Sequence, residues 1–226
     1  MYFIQKSLTK FHNTHSTGFL DPKELKEVQS QLKKKDYLIY YPYPDSEKNI
    51  LYSGEIPEVL LYEIKSKIPL RHQDILGTLY SLNIASEYFG DVLLIENHYY
   101  VYIHPFIRNY FEANFLKVRN SSVEVEEIPL STLENYERNY ESLELIVSSN
   151  RIDTIVSSIC HTSRSMIQEM LSKKEIFLNY EILKDGSVKL REGNTFSIKR
   201  IGKFKYVGIL KNTKSNHLIV EIKQYK

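Results

Sequence analysis

The chain has 226 residues, 42% of them apolar and 26% charged, which is the composition of a folded globular protein. No apolar run approaches the roughly eighteen residues of a membrane span, and the N-terminus MYFIQKSLTKFHNTHS lacks the features of a signal peptide. The single cysteine, Cys160, excludes an internal disulfide and a Cys-rich zinc site. These points favour the cytoplasm.

The net charge of +2 conceals a partition. From Ser148 to Lys226 there are fifteen Lys and Arg against seven Asp and Glu, a balance of +8; the preceding residues hold fifteen against twenty-one. Such asymmetry points to a polyanion partner for the basic part, although surface lysines can also serve only to keep a small domain soluble.

Residues 1–18 read as a plain solvated segment. His12 and His15 invite a metal reading, but no carboxylate or cysteine lies nearby in sequence to complete a site. Asp21-Pro22 starts a helix to about Lys35, with Leu25, Val28 and Leu32 inward. Strands follow at 37–41 and 49–52. The tyrosines at 37, 40, 41 and 43 read as amphipathic fillers of a strand, with a base-stacking platform as the alternative.

From Glu58 a β-α-β-β-α-β unit can be written. Its strand 59–64 precedes a helix 72–84, a hairpin of 92–95 and 99–103 turns at Asn97-His98, a helix runs over 105–116, and a strand over 123–128 closes it. This is the ferredoxin-like order that RNA-recognition modules share with many unrelated proteins. Tyr100 and Tyr102 share one face of the hairpin, without the RNP signature of an RNA-recognition motif. Residues 124–144 hold seven acids and one base, Arg138, and read as the end of this domain plus an acidic connector.

The basic part opens with Ile152, Ile155, Val156 and Ile159, one stripe of a helix starting near Arg151. Ser163 is placed to N-cap a second helix that buries Met166, Ile167, Met170 and Leu171. Arg164, Ser165, Gln168, Lys173 and Lys174 are left outside. A strand at 176–178, a turn at Asp185-Gly186 and a strand at 195–199 complete a small sheet behind the helices.

Two enzyme readings are set aside. His72 and Asp74, two apart on a helix, point about 200° away from each other, so Asp74 reads as support for the helix start. Cys160, beside His161, reads as a small buried thiol. The eight glycines never gather into a cofactor-binding loop. The expectation is a non-enzymatic protein with no cofactor and no metal; an RNA-modifying enzyme and a protein-interaction factor in cell division are the rivals.

Two resemblances rest on these residues. R-I-D at 151, S-R-S at 163, K-x-x-I-x-x-N from Lys173 and E-G-N-x-F-S-I-K from Glu192 resemble the RNA-binding domain named after ribosomal protein S4, whose pattern is R-L-D, S-R, G-x-V-x-V-N-G and G-D-x-I. The departures are Lys174-Glu175 where a Gly is common, Tyr180 in place of Gly after Asn179, and Asn194 for Asp. This resemblance implies RNA contacts from Arg151, Arg164 and the basic residues after the second helix, Lys173, Lys174, Lys199, Arg200, Lys203 and Lys205, with Thr162, Ser163, Gln168 and Asn179 adding orientation. F-L-D-P at 19–22, H-Q-D-I-L-G-T-L at 72–79, G-D-V at 90–92, S-R-S and I-G-K-F-K from Ile201 together resemble the YlmH family. In that family the middle motif is commonly H-R-D-x-L-G, with Gln73 here in place of the Arg.

The implied architecture is α+β. It has a small N-terminal α/β domain (1–57), a ferredoxin-like, RRM-like middle domain with the acidic connector (58–147) and a C-terminal S4-type RNA-binding domain (148–226). The implied partners are structured RNA, 23S rRNA and tRNA on the large ribosomal subunit, in rescue of stalled nascent chain-tRNA. A cytoplasmic monomer is expected.

Overall fold

The computed structural model describes residues 2–225, which fall into two compact units, one up to Glu137 and one from Arg138 on.

The first unit opens on helix α1 (Tyr2–Thr14), where the sequence reading expected a solvated segment. Ile4, Leu8 and Phe11 lie at i, i+4 and i+7, the inward stripe of a helix; Phe11 is buried and the other two pack beside it on Leu20, Val28 and Leu51. His15, at φ 57°, ends the helix in the left-handed region. Helix α2 (Pro22–Gln29) starts as expected. Asp21 Oδ1 accepts from the amides of Lys23 and Glu24, and Glu24 Oε2 accepts from the amide of Asp21, a reciprocal capping box. It stops at Gln29 and not at Lys35, because Gln31 and Leu32 donate three residues back and Ser30 turns its hydroxyl onto the Glu27 carbonyl. Strands β1 (Leu38–Tyr40) and β2 (Ile50–Tyr52) form an antiparallel pair.

A five-stranded antiparallel sheet follows. Its strands are β3 (Leu60–Ser66), β4 (Phe89–Ile95), β5 (His98–Ile103), β6 (Lys117–Val118) and β7 (Ser121–Ile128), in the order β4-β5-β3-β7-β6. Helices α3 (His72–Ser81) and α4 (Arg108–Asn114) are the crossovers, giving the split β-α-β connectivity. Helix α3 ends earlier than expected. Asn83 adopts φ 56°, and the amides of Asn83 and Ile84 donate to the carbonyls of Tyr80 and Leu79, a Schellman close. The β4–β5 turn is Glu96-Asn97, at φ 48° and 66°, one residue earlier than read from sequence.

This sheet has a core on each side. Leu60, Tyr62 and Ile64 face α3 and α4, with Ile75, Leu79, Phe111 and Phe115. Leu61, Leu93 and Tyr102 face the other way and are covered by Phe19, Tyr43 and Ile50. Residues 1–57 thus share a core with the middle sheet, and the expected boundary at 57/58 does not separate compact units. Gly90 permits this contact, since a Cβ there would lie 2.8 Å from Phe19 and 2.9 Å from Tyr102. The Phe of F-L-D-P and the Gly of G-D-V therefore fit each other. Tyr43, the buried member of the tyrosine cluster, donates to Asp91 Oδ2 at 2.6 Å, so it works as a filler with a satisfied hydroxyl.

The second unit is a six-stranded antiparallel sheet with two helices on one face. The elements are β8 (Tyr140–Val147), α5 (Ile152–Ile159), α6 (Arg164–Ser172), β9 (Ile176–Leu178), β10 (Glu181–Ile182), β11 (Thr195–Ile198), β12 (Gly202–Asn212) and β13 (Leu218–Tyr225), with sheet order β10-β9-β11-β12-β13-β8. The acidic stretch begins as β7, the expected end of the middle domain, runs through a 3-10 turn and coil over 129–139, and ends not in connector but in β8, which pairs with β13 along its whole length. Ile152, Ile155, Val156, Ile167 and Leu171 meet Ile176, Phe196, Phe204 and Val220 in the core. Met166, expected inside, is 46% exposed, because the inward line of α6 runs through Ile167 and Leu171.

Candidate nucleic-acid interface

Helices α5 and α6 meet at His161 and Thr162. His161 takes φ 48°, and the Ser157 hydroxyl donates to the Thr162 carbonyl at 2.5 Å. Ser163 Oγ accepts from the Met166 amide at 3.4 Å and caps α6, as its position suggested. Arg164 and Gln168 stand exposed on successive turns of that helix.

At the far end of α6 the basic residues converge. Lys173 pairs with Glu169 at 2.6 Å, a bond that raises its ammonium pKa against the opposing like charge of Arg200. Lys174 takes φ 56° and is exposed. The Lys199 amide donates to the Glu175 carbonyl at 2.9 Å, so the β11–β12 turn carrying Lys199 and Arg200 is tied to the end of the helix. Four cations from two distant stretches thus share one exposed rim, and Arg164 stands about 12 Å away along α6 at 1.5 Å per residue.

Other expected contact residues are engaged in the fold. Arg151 Nε donates to Asp153 Oδ1 at 3.1 Å, and its guanidinium spans both carboxylate oxygens while staying partly exposed. Asn179 Oδ1 accepts from the Thr195 amide at 3.1 Å and steadies a turn in which Asn179 and Tyr180 adopt φ 47° and 69°. The left-handed positions where the S4 pattern prefers glycine are thus kept here at 174 and 180 with side chains. Lys203 donates to the Tyr180 hydroxyl at 2.9 Å and lies 4.5 and 4.9 Å from the centroids of Tyr180 and Tyr225. Lys205, half-exposed, stands between Thr195 and Lys223 on the sheet face. Lys223, over the Tyr140 ring at 5.5 Å, went unread because β13 was not assigned as a strand.

In the middle domain the sheet face that base-stacking modules use is closed. Tyr102 is fully buried and stacks on Tyr43 with centroids 5.8 Å apart; Tyr100 is half-buried in the same cluster. Asp74 does support the start of α3, accepting from the Arg71 amide at 3.0 Å. It also receives the Arg71 guanidinium on both oxygens and lies 3.8 Å from Arg119, the first of these contacts being the main cause of its lowered pKa.

Among the described residues, no three His, Cys, Asp or Glu side chains gather to hold a metal, and His12 Nδ1 instead contacts the Leu8 carbonyl at 2.7 Å. Cys160 is partly buried, and burial pushes its thiol pKa up. Among the described residues no helix is long and apolar enough to cross a membrane.

The class of protein indicated by comparison with known families is RNA-binding: residues 58–132 match the family described as "Putative RNA-binding domain in YlmH". The matched residues include the H-Q-D-I-L-G-T-L motif at 72–79. The whole chain is similar to "Ribosome-associated protein quality control protein P2" of Bacillus subtilis (strain 168), with 23% identity over 223 residues, 93% of this chain and 87% of that protein. Among solved structures it is similar to "Cell division protein ylmH from Streptococcus pneumoniae", with 20% identity, a TM-score of 0.48, and coverage of 59% of this chain and 93% of that one.

Proposed function

We propose that the chain is a non-enzymatic RNA-binding protein whose C-terminal unit is an S4-type domain that docks on structured RNA. The observation that carries this reading is the tie between the Lys199 amide and the Glu175 carbonyl, which sets Lys199 and Arg200 beside Lys173 and Lys174. Clustered cations neutralise phosphates and release counterions, and Arg164 forks onto phosphate as lysine cannot. Two short helices with a cationic rim suit a groove or junction of folded RNA, which is recognised largely by shape. Similarity to a protein named for ribosome-associated quality control supports the ribosome as the platform; on this proposal the site is the large subunit, with 23S rRNA and tRNA as the RNA. The protein would act there in the cytoplasm as a monomer, holding the tRNA of a stalled nascent chain.

The test is binding of the full chain to purified large-subunit ribosomal RNA over a salt series. Combined Arg164→Ala, Lys174→Ala and Arg200→Ala substitution is expected to weaken binding and to flatten the plot of log K against log salt by roughly 0.7–0.9 per cation removed. Equal affinity and slope in wild type and variant would overturn the reading.

A further inference from the structure

The middle domain carries a concave cationic surface away from the sheet face. It lies between α3 and the hairpin β6–β7, lined by Gln73, Asp74, Gly77 and Ser81 from the helix and by Lys117 and Arg119 from the hairpin. Asp74, whose side chain is only 8% exposed, anchors Arg71 bidentately and draws Arg119 toward the helix. Both side chains remain more than half exposed, so one carboxylate orients two arginines at the surface. Arg119 is held in the β6–β7 turn at φ 55°, in the left-handed region. Lys117 is exposed with no ion-pair partner among the described residues. The cleft itself is lined by two cations, Lys117 and Arg119, against one anion, and Arg71 is held by that same carboxylate beside it.

Gly77 supplies an independent observation. It sits inside α3, where glycine costs about 1 kcal/mol relative to alanine. A Cβ there would meet nothing within 4 Å, so no packing requirement within the chain explains the glycine. Gly18 and Gly90 differ, since added Cβ atoms there would come within 3 Å of neighbouring residues. A bare turn of helix beside Lys117 and Arg119 is what the close approach of an external polyanion backbone requires. The acidic sheet residues Glu63, Glu124 and Glu126 and the closed Tyr102 face leave this cleft as the cationic surface of the domain.

We propose that this cleft is a second RNA contact. Arg119 and Lys117 would bind a backbone phosphate that lies against Gly77, and Arg71 a neighbouring phosphate, with Asp74 as the positioning residue for both arginines. The inference rests on the RNA-binding reading, and the two can fail separately.

The full chain is titrated with purified large-subunit ribosomal RNA, using a charge pair at the open position, Gly77→Glu and Gly77→Lys, together with the double variant Lys117→Ala and Arg119→Ala. Neither Gly77 side chain meets a neighbour at Cβ, so both variants are expected to melt no lower than wild type. The result expected is that Gly77→Glu weakens binding about tenfold or more while Gly77→Lys does not, and that the double variant lowers the salt slope by roughly 1.5. Wild-type affinity and slope in Gly77→Glu and in the double variant, with loss in the C-terminal triple variant, would overturn the cleft and leave the RNA-binding reading standing. Equal loss in Gly77→Glu and Gly77→Lys would overturn the phosphate assignment. Salt-independent binding by wild type would overturn both readings.

Discussion

Arg151 and Asp153 hold each other: the guanidinium spans the carboxylate, and the carboxylate caps its own helix by accepting from the Thr154 amide at 2.7 Å. The first and third residues of R-I-D thus form a structural clasp at the start of α5. Arg151→Ala would leave the buried Asp153 without its counter-ion. It is expected to lower the melting temperature of the C-terminal unit in thermal denaturation, whereas Arg164→Ala, exposed on α6, is expected to leave it unchanged. Burial pushes the Asp153 carboxyl up, but the bonds from Arg151 and Thr154 outweigh it and hold the pKa below the ordinary 3.8. The clasp's stability is therefore full above that value and lost as pH falls through the lower folded value. In acid titrations Asp153→Asn should lack this contribution.

Lys48 gives a pH dependence of opposite origin. Its amine donates to the Ser86 carbonyl, the Ser86 hydroxyl and the Phe89 carbonyl, and burial lowers its pKa to about 8. The unfolded chain, with Lys near 10.5, binds more protons between these values, so stability rises with pH across that window. Denaturant melts of wild type and Lys48→Met from pH 7 to pH 10 should show wild type gaining on the variant as pH rises; a constant difference would refute the assignment.

Two glycines should respond oppositely. Gly77→Ala adds a methyl to open space on α3 and is expected to stabilise by about 0.5–1 kcal/mol. Gly90→Ala drives a methyl into Phe19 and the Tyr102 Cβ and is expected to destabilise by about 1–3 kcal/mol. Urea denaturation of both variants checks the signs.

Cys160 packs at the edge of the C-terminal core with a thiol raised by burial. Alkylation at pH 7 should be slower than that of the unfolded chain in denaturant, because the thiolate is the nucleophile. Equal rates would show the thiol to be free.

The recovered parts of the fold were those set by local chemistry. The Asp21 capping box, the α5 stripe and the Ser163 cap are fixed by residues within four positions of each other, and a periodic pattern shows them. The end of α2 depended on the Ser30 back-bond, and the end of α3 on Asn83 in the left-handed region, competing local choices that apolar periodicity does not register. Helix α1 was passed over because its stripe of Ile4, Leu8 and Phe11 sits among polar residues and is buried only once Leu20, Val28 and Leu51 arrive.

By itself, then, the sequence determined the basic character of the C-terminal unit, the identity of its cations and the motifs of the YlmH resemblance, because charge and short spacing are properties of the chain. Tertiary structure alone decided which cations share a rim, since the Lys199–Glu175 bond ties the turn of Lys199 and Arg200 to the end of α6 with Lys173 and Lys174. It also decided which residues are consumed by the fold, Arg151 by Asp153 and Lys203 by two tyrosine rings. Contacts between residues distant in sequence follow from core packing and strand register, and no local pattern carries them.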